Sequence, residues 1–237
     1  MKGIILAGGT GSRLYPLTKV TNKHLLPIGF KPMIYYPIEK LTGAGIDEIL
    51  IVTGTEHMGD VVNLLGSGSE FGCRFTYKVQ DEAGGIAQAL GLAQNFAGTE
   101  PMTVILGDNI FEAGIGQALS NYPGSGAQIL IKKVPDPGRF GVPVLDGEKI
   151  VSIEEKPDQP GSEFAVTGIY MYDSTVFEII KNLEPSNRGE LEITEVNNYY
   201  IHEGNMVWSE LEGWWTDAGT HESYRAANDL IFKSVGK

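Results

Sequence analysis

The sequence has a single cysteine in 237 residues, Cys73, so no intramolecular disulfide can form, and a buried thiol in a reducing compartment is expected. It is also short of basic residues: 18 Lys and Arg stand against 30 Asp and Glu, a formal net charge of −12. Nucleic acid and anionic membrane surfaces both need a broad basic face, so neither is expected as a partner. No apolar run approaches the ~18 residues that span a bilayer, and the first one stops at Gly8, too early for a signal peptide; a cytoplasmic protein is expected. The four histidines show no metal-ligand spacing, and no serine or cysteine sits in a G-x-S-x-G setting. A zinc site and covalent catalysis are therefore not expected.

What is present is an alternation of short β-branched runs and helical patterns. Residues 2–7, 48–53, 75–79 and 102–106 read as buried strands, and residues 33–41, 58–65 and 86–96 lie between them at helical spacing. Repeated strand–helix–strand order implies a mostly parallel sheet covered on both faces, a Rossmann-like α/β fold. After about residue 126 the strands "AQILIKKV", "GVPVL", "KIVSIEE" and "FAVTGIYMY" have connectors too short for crossover helices, so antiparallel or mixed pairing is expected there. Late helices are expected at about 174–182, 193–203 and 220–234, the last with Thr220 as its N-cap. No linker separates two free domains. The reading is a single domain over 1–237, with a nucleotide-binding lobe to about 125 and a smaller sugar-phosphate lobe with C-terminal helices from about 126.

The stretch "IILAGGTGSRL" ends a strand in glycines and an arginine. It lacks the third glycine of a dinucleotide fingerprint and the lysine of a Walker loop. What is left is a backbone cradle, Gly8, Gly9, Thr10, Gly11 and Ser12, followed by the fixed donors of Arg13. That chemistry suits a polyphosphate, or else a tight turn with a surface arginine. Lys23 could flank the same anion. Asp108 follows a fully apolar strand, where open parallel sheets place their ligands, and is either a Mg²⁺ ligand or a turn-former. Asp217 is a second carboxylate for that ion or a charge near a helix start. Glu155 and Lys156 end a strand before a proline and form either a surface pair or a sugar-phosphate contact, with Arg188 as a second phosphate ligand or a loop arginine.

These stretches occur together and in order. With "KHLLPIGFKPMIYYP", "GIAQAL", "LGDNIF", "RFGV", "EEKP", "RGELEITEVN" and "WWTDAGTH", the chain resembles the sugar nucleotidylyltransferases, most closely their thymidylyltransferase branch, from residue 2 to about 228. The resemblance implies the condensation of a sugar 1-phosphate with a nucleoside triphosphate, here glucose 1-phosphate and dTTP, with release of pyrophosphate, in a homo-oligomer (tetramer or dimer). The product would feed deoxysugar and cell-surface polysaccharide synthesis. By carry-over, the loop from Gly8 to Ser12, Arg13 and Lys23 hold the triphosphate, and Gln80 with the backbone at Gly85 reads the base. Asp108 and Asp217 hold Mg²⁺. Phe140, Gly141, Glu155, Val166 and Trp215 line the sugar site, and Lys156 and Arg188 take its phosphate, with Arg13, Lys23 and Lys156 as the catalytic cations. The chain departs from the family pattern at His24, where glutamine is usual, at Phe140 in place of tyrosine, at Val144, and at Gly84, where the missing aspartate is expected to loosen the base loop. Longer members carry a further C-terminal segment that helps form a regulatory nucleotide site, so feedback inhibition is not carried over to a sequence ending at Lys237. A uridylyl-, cytidylyl- or adenylyltransferase of the same fold, a metal-dependent glycosyltransferase and a non-enzymatic nucleotide-sugar sensor are the competing readings.

Overall fold

A computed structural model describes residues 1–147 and 149–235, without the side chain of Val235. The chain opens with β1 (Lys2–Ala7), the short hairpin β2 (Pro27–Ile28) and β3 (Lys31–Pro32), and α1 (Tyr35–Gly43). It continues through β4 (Glu48–Gly54), α2 (Met58–Leu65), β5 (Arg74–Gln80), α3 (Ile86–Gly91), α4 (Gln94–Ala97), β6 (Met102–Leu106) and β7 (Asn109–Phe111). The remainder is α5 (Gly116–Asn121), β8 (Ala127–Lys133), β9 (Gly141–Asp146), β10 (Lys149–Glu155), β11 (Phe164–Tyr172), α6 (Val176–Lys181), α7 (Ile193–His202), β12 (Met206–Glu210), β13 (Trp215–Asp217) and α8 (His221–Val235).

The central sheet has seven strands in the order β12-β8-β11-β6-β1-β4-β5. β5, β4, β1 and β6 run parallel, β12 pairs parallel with β8, and β11 is antiparallel to both its neighbours, β6 and β8. This is the α/β fold with a mostly parallel sheet that the alternation predicts. Because strand side chains alternate between faces, Ile4, Leu6, Leu50 and Val52 enter one core with α3, α6 and α7. Ile5, Ala7, Ile49 and Ile51 enter the other, with α1 and α2. A third, smaller cluster sits under α8 around Ile28, Met33, Tyr36 and Ala227. No helix among the described residues is long and apolar enough to cross a membrane.

The predicted helix over 86–96 is two helices. Between them Leu92 and Ala93 bond back to Ala89 and Leu90 over three residues, a tightening that follows Gly91, a poor helix former. Helix α1 starts two residues later than periodicity suggests, because the Met33 and Ile34 N–H groups bond to Leu26 and His24 instead. The Thr220 cap is present: Ser223 N–H donates to Thr220 Oγ1 at 3.2 Å. The strands not anticipated are β2, β3, β7, β12 and β13, most of them two or three residues long.

One of those short pairs positions the site. β13 lies antiparallel to β7, with Asp217 opposite Asn109, and Ala218 N–H donates to the Asp108 carbonyl at 2.8 Å. Asn109 is 2% exposed, and its Oδ1 accepts from the Gly168 N–H of β11 at 2.9 Å and from the Trp215 indole at 2.8 Å. A single side chain thus ties β7, β11 and β13 together. Asn109→Ala leaves two buried donors without partners and should destabilise the protein by roughly 3 kcal/mol, read as a lower urea midpoint with an unchanged slope.

Candidate active site

Gly8, Gln80 and Asp108 stand at or just beyond the carboxyl ends of β1, β5 and β6, the edge at which open α/β sheets bind ligands. They open into a cavity of about 640 Å³, within the range of small-molecule sites. Of the sequence-derived candidates, Gly8, Gly9, Arg13, Lys23, Gln80, Gly85 and Asp108 line it. Phe140, Gly141, Glu155, Lys156, Val166, Trp215 and Asp217 line it as well. Thr10, Gly11 and Ser12 lie in the same loop but outside the lining, and Arg188 stands behind Glu155.

The carboxylates of Asp108 and Asp217 converge. A Cβ added to Gly219 would lie 3.1 Å from Asp217 Oδ2, 3.2 Å from Arg13 Nη2 and 3.4 Å from Asp108 Oδ2. Lys23 Nζ sits 2.5 Å from Asp108 Oδ2, and Arg139 Nη2 3.2 Å from Asp217 Oδ1. The two acids respond oppositely. Burial opposes the charge on Asp108, but the Lys23 ammonium, His24 and hydrogen bonds from Lys23 and Asn109 outweigh it and hold the carboxyl well below the usual range. Burial and then the Asp108 charge push Asp217 up, against the weaker pull of Arg139, the Gly219 N–H and Arg13. Each acid has its own cation, Lys23 on Asp108 and Arg139 on Asp217, and the two carboxylates face a shared space beside Gly219. Among the described residues no group of three or more His, Cys, Asp or Glu could hold a metal. The pair therefore suits a hard cation that takes its remaining oxygens from phosphate and water, as Mg²⁺ does.

A second charged cluster lines the same cavity. Glu155 Oε2 accepts from Thr194 Oγ1 at 2.6 Å and Oε1 from Arg188 Nη2 at 3.1 Å, with Lys156 Nζ 3.3 Å away. Arg188 is also bonded to Glu192 Oε1 at 2.9 Å, which Ser186 Oγ meets at 2.7 Å. Lys156 adopts φ 47°, the left-handed region that a side chain rarely enters, and its N–H is held by the Phe140 carbonyl at 3.0 Å. Beside them, Phe140 and Trp215 meet edge to face at 5.1 Å and form an aromatic wall.

Beside Gln80, Gly85 has φ +101°, and a Cβ there would meet the Leu191 carbonyl at 2.5 Å, so only glycine fits. The loop before it is tied: Leu191 N–H donates to the Gly84 carbonyl at 2.8 Å, and Gly84 N–H donates to Gln88 Oε1 at 3.1 Å. The thiol of Cys73 is 7% exposed, away from the cavity, and burial pushes its pKa up, as an inert core cysteine requires.

Sequence reasoning left Asn109, Arg139, Thr194 and Gln88 without roles. Arg139 and Thr194 sit inside the matched stretches "RFGV" and "RGELEIT", next to residues that were assigned. Asn109 works through bonds to distant segments, at Gly168 and Trp215, which no local pattern announces, whereas Gln88 acts within its own loop, on Gln80 and Gly84.

His24, where the family pattern has glutamine, is 1% exposed; its Nδ1 lies 2.7 Å from Asn22 Oδ1. Burial, then the Lys23 ammonium, lower its pKa to about 3 despite Asp108. The folded state therefore binds fewer protons than the unfolded state between 6.5 and about 3, so stability is full above 6.5 and falls as the pH drops through that window. His24→Gln should remove this component, worth on the order of 4 kcal/mol near pH 3, seen as a flatter plot of unfolding free energy against pH.

The nucleotidyl transferase family model matches residues 2–234. A curated relative from Neisseria meningitidis serogroup A, named glucose-1-phosphate thymidylyltransferase, is 45% identical over 98% of this chain and 82% of its own length. A crystal structure from Bacillus anthracis, solved with sucrose and assigned as a glucose-1-phosphate thymidylyltransferase, superposes with a TM-score of 0.92 at 60% identity, covering 97% of this chain and 94% of that one. A UDP-glucose pyrophosphorylase complexed with UDP-glucose gives a TM-score of 0.85 at 27% identity, covering 98% of both chains. With the match spanning nearly every residue and both charged clusters lining one cavity, the chain belongs to the nucleotidyl transferase family.

Proposed function

We propose that the protein is a cytoplasmic glucose-1-phosphate thymidylyltransferase, converting dTTP and glucose 1-phosphate to dTDP-glucose and pyrophosphate. The observation that carries this is one cavity with two charged clusters, Asp108 and Asp217 among Arg13, Lys23 and Arg139, and Glu155 with Lys156 and Arg188.

The reaction brings two polyanions together. At ~4 Å and an effective dielectric near 20, two unit charges repel by roughly 4 kcal/mol, and each substrate carries more than one. A phosphate oxygen of the sugar phosphate attacks the α-phosphorus. The bond from that phosphorus to the bridging oxygen breaks, and pyrophosphate leaves with the electron pair. The nucleophile is already an anion, so no protein base takes a proton. Positioning and charge neutralisation can supply most of the rate. In this reading the loop Gly8–Ser12 and Arg13 cradle the β- and γ-phosphates, and Lys23 leaves Asp108 for the triphosphate. Asp108 and Asp217 would hold Mg²⁺, which when bound neutralises phosphate charge as a Lewis acid. Lys156 and Arg188 take the sugar phosphate, Glu155 accepts from sugar hydroxyls, and Gly141, Val166 and the Phe140–Trp215 wall shape the sugar pocket.

Base choice rests on Gln80 and Gly85. A methyl-sized difference is worth only ~1–3 kcal/mol, so UTP should be used measurably beside dTTP. A same-fold uridylyltransferase is the second reading, favoured by the likeness to UDP-glucose pyrophosphorylase. Self-association into a dimer or tetramer belongs to the proposal, supported by the exposed apolar side chains Val20, Phe30 and Phe232. A monomer mass by light scattering would remove it.

Purified protein with Mg²⁺ and glucose 1-phosphate should release pyrophosphate with dTTP and UTP and little with ATP or GTP; strict purine preference would end the pyrimidine assignment. Asp108→Asn should lower kcat by about 100-fold or more while calorimetric dTTP binding changes far less. Turnover near the wild-type rate in that variant would remove the metal role.

A further inference from the structure

We infer that Gln88 is a positioning residue for base choice: it fixes the amide of Gln80 with its oxygen toward the base, so that the site accepts thymine or uracil and rejects cytosine. The inference rests on the reading of Gln80 as the base-contacting side chain.

Gln88 does not line the cavity; Gln80 does. Gln80 is 7% exposed, and its Nε2 donates to Gln88 Oε1 at 2.7 Å and to the Gly85 carbonyl at 3.3 Å. An amide can ordinarily be turned over, because its oxygen and nitrogen have the same shape. Here two backbone groups forbid it. The Gly84 N–H can only donate; it is shared between the Glu82 carbonyl at 2.9 Å and Gln88 Oε1 at 3.1 Å, so the Gln88 oxygen rather than its amino group fits beside it and faces Gln80. The Gly85 carbonyl can only accept, so it too demands the Gln80 amino group. Both Gln80 amide hydrogens are therefore committed, and Oε1 is the atom left for a ligand. It lies against Gly8, where an added Cβ would fall 2.4 Å from it, and Gly8 shares the cavity wall.

An oxygen that only accepts is selective. N3 of thymine and uracil carries a hydrogen and donates, whereas N3 of cytosine is a lone pair and would face the Gln80 oxygen lone pair to lone pair. A buried group left unpaired in this way discriminates more strongly than a missing contact. Gly84 leaves room for this packing: a Cβ there would lie 2.3 Å from Gln88 Nε2, so any larger residue at 84 would require the Gln88 side chain to shift.

The experiment compares kcat/KM for UTP and CTP, which differ only in the base edge, in the wild type and three variants. Gln88→Glu keeps an acceptor for both donors and should keep the UTP-to-CTP ratio. Gln88→Leu releases the Gln80 amide, and Gln88→Lys offers it a donor instead; each should lower the ratio by about tenfold or more, Gln88→Lys the most, because CTP gains as UTP loses. A purely structural role would lower both rates and leave the ratio alone. Unchanged ratios in Gln88→Leu and Gln88→Lys overturn the inference while the functional reading stands, as does a Gln88→Glu variant that loses the ratio. If Gln88→Leu fails to fold, the Glu and Lys pair decides alone. A wild type with no preference for UTP over CTP overturns both.

Discussion

The meeting of Asp108 and Asp217 is the constraint around which the cavity is organised. Two partly buried carboxylates repel, and here they are brought together by backbone pairing between β7 and β13 rather than by their own attraction. The surroundings answer with cations, Lys23 on one acid and Arg139 on the other, while Arg13 points into the same space. A chain with a net charge of −12 thus places three of its 18 basic side chains, Arg13, Lys23 and Arg139, where these acids meet. Burial and the Asp108 charge still push Asp217 up despite these cations, which suits a site that takes a further cation between the two acids.

The sheet supplies rigidity for this. Parallel strands β1, β4 and β6 are buried on both faces, and their carboxyl ends deliver the glycine loop and Asp108 from within a packed core. The antiparallel strand β11, with its irregular register between Val166 and Tyr170, lets the Gly168 backbone reach Asn109 and so anchors the Asp108–Asp217 side of the cavity to the sheet. Glu155 plays a comparable part in the second cluster, where Thr194, Lys156 and Arg188 all contact it. Both clusters are charge networks whose members satisfy one another before any ligand arrives, and substrate binding must exchange those partners for phosphate oxygens.

Much of this was legible beforehand. The four parallel strands and α2 at 58–65 follow from hydrophobic periodicity, and the mixed pairing after residue 126 from connectors too short for crossover helices. The glycine loop, Asp108, Lys156 and the pair Phe140–Trp215 were legible because their stretches are local and specific. Less legible were the short strands β7 and β13, whose three residues carry no period, and the break between α3 and α4, set by tightened backbone bonds after Gly91.

The sequence by itself determined the fold class and the inventory of the site: an acidic α/β chain, a glycine cradle ending in Arg13, and carboxylates at strand ends. Tertiary structure alone decided how those groups are used. That Asp217 faces Asp108, 109 positions earlier in the chain, and that Arg139 answers it depend on pairing between distant segments, and the direction of the Gln88–Gln80 bond depends on how the short loop between them folds. Charge repulsion and hydrogen-bond direction act through space, so they become readable only when the sheet has brought their partners together.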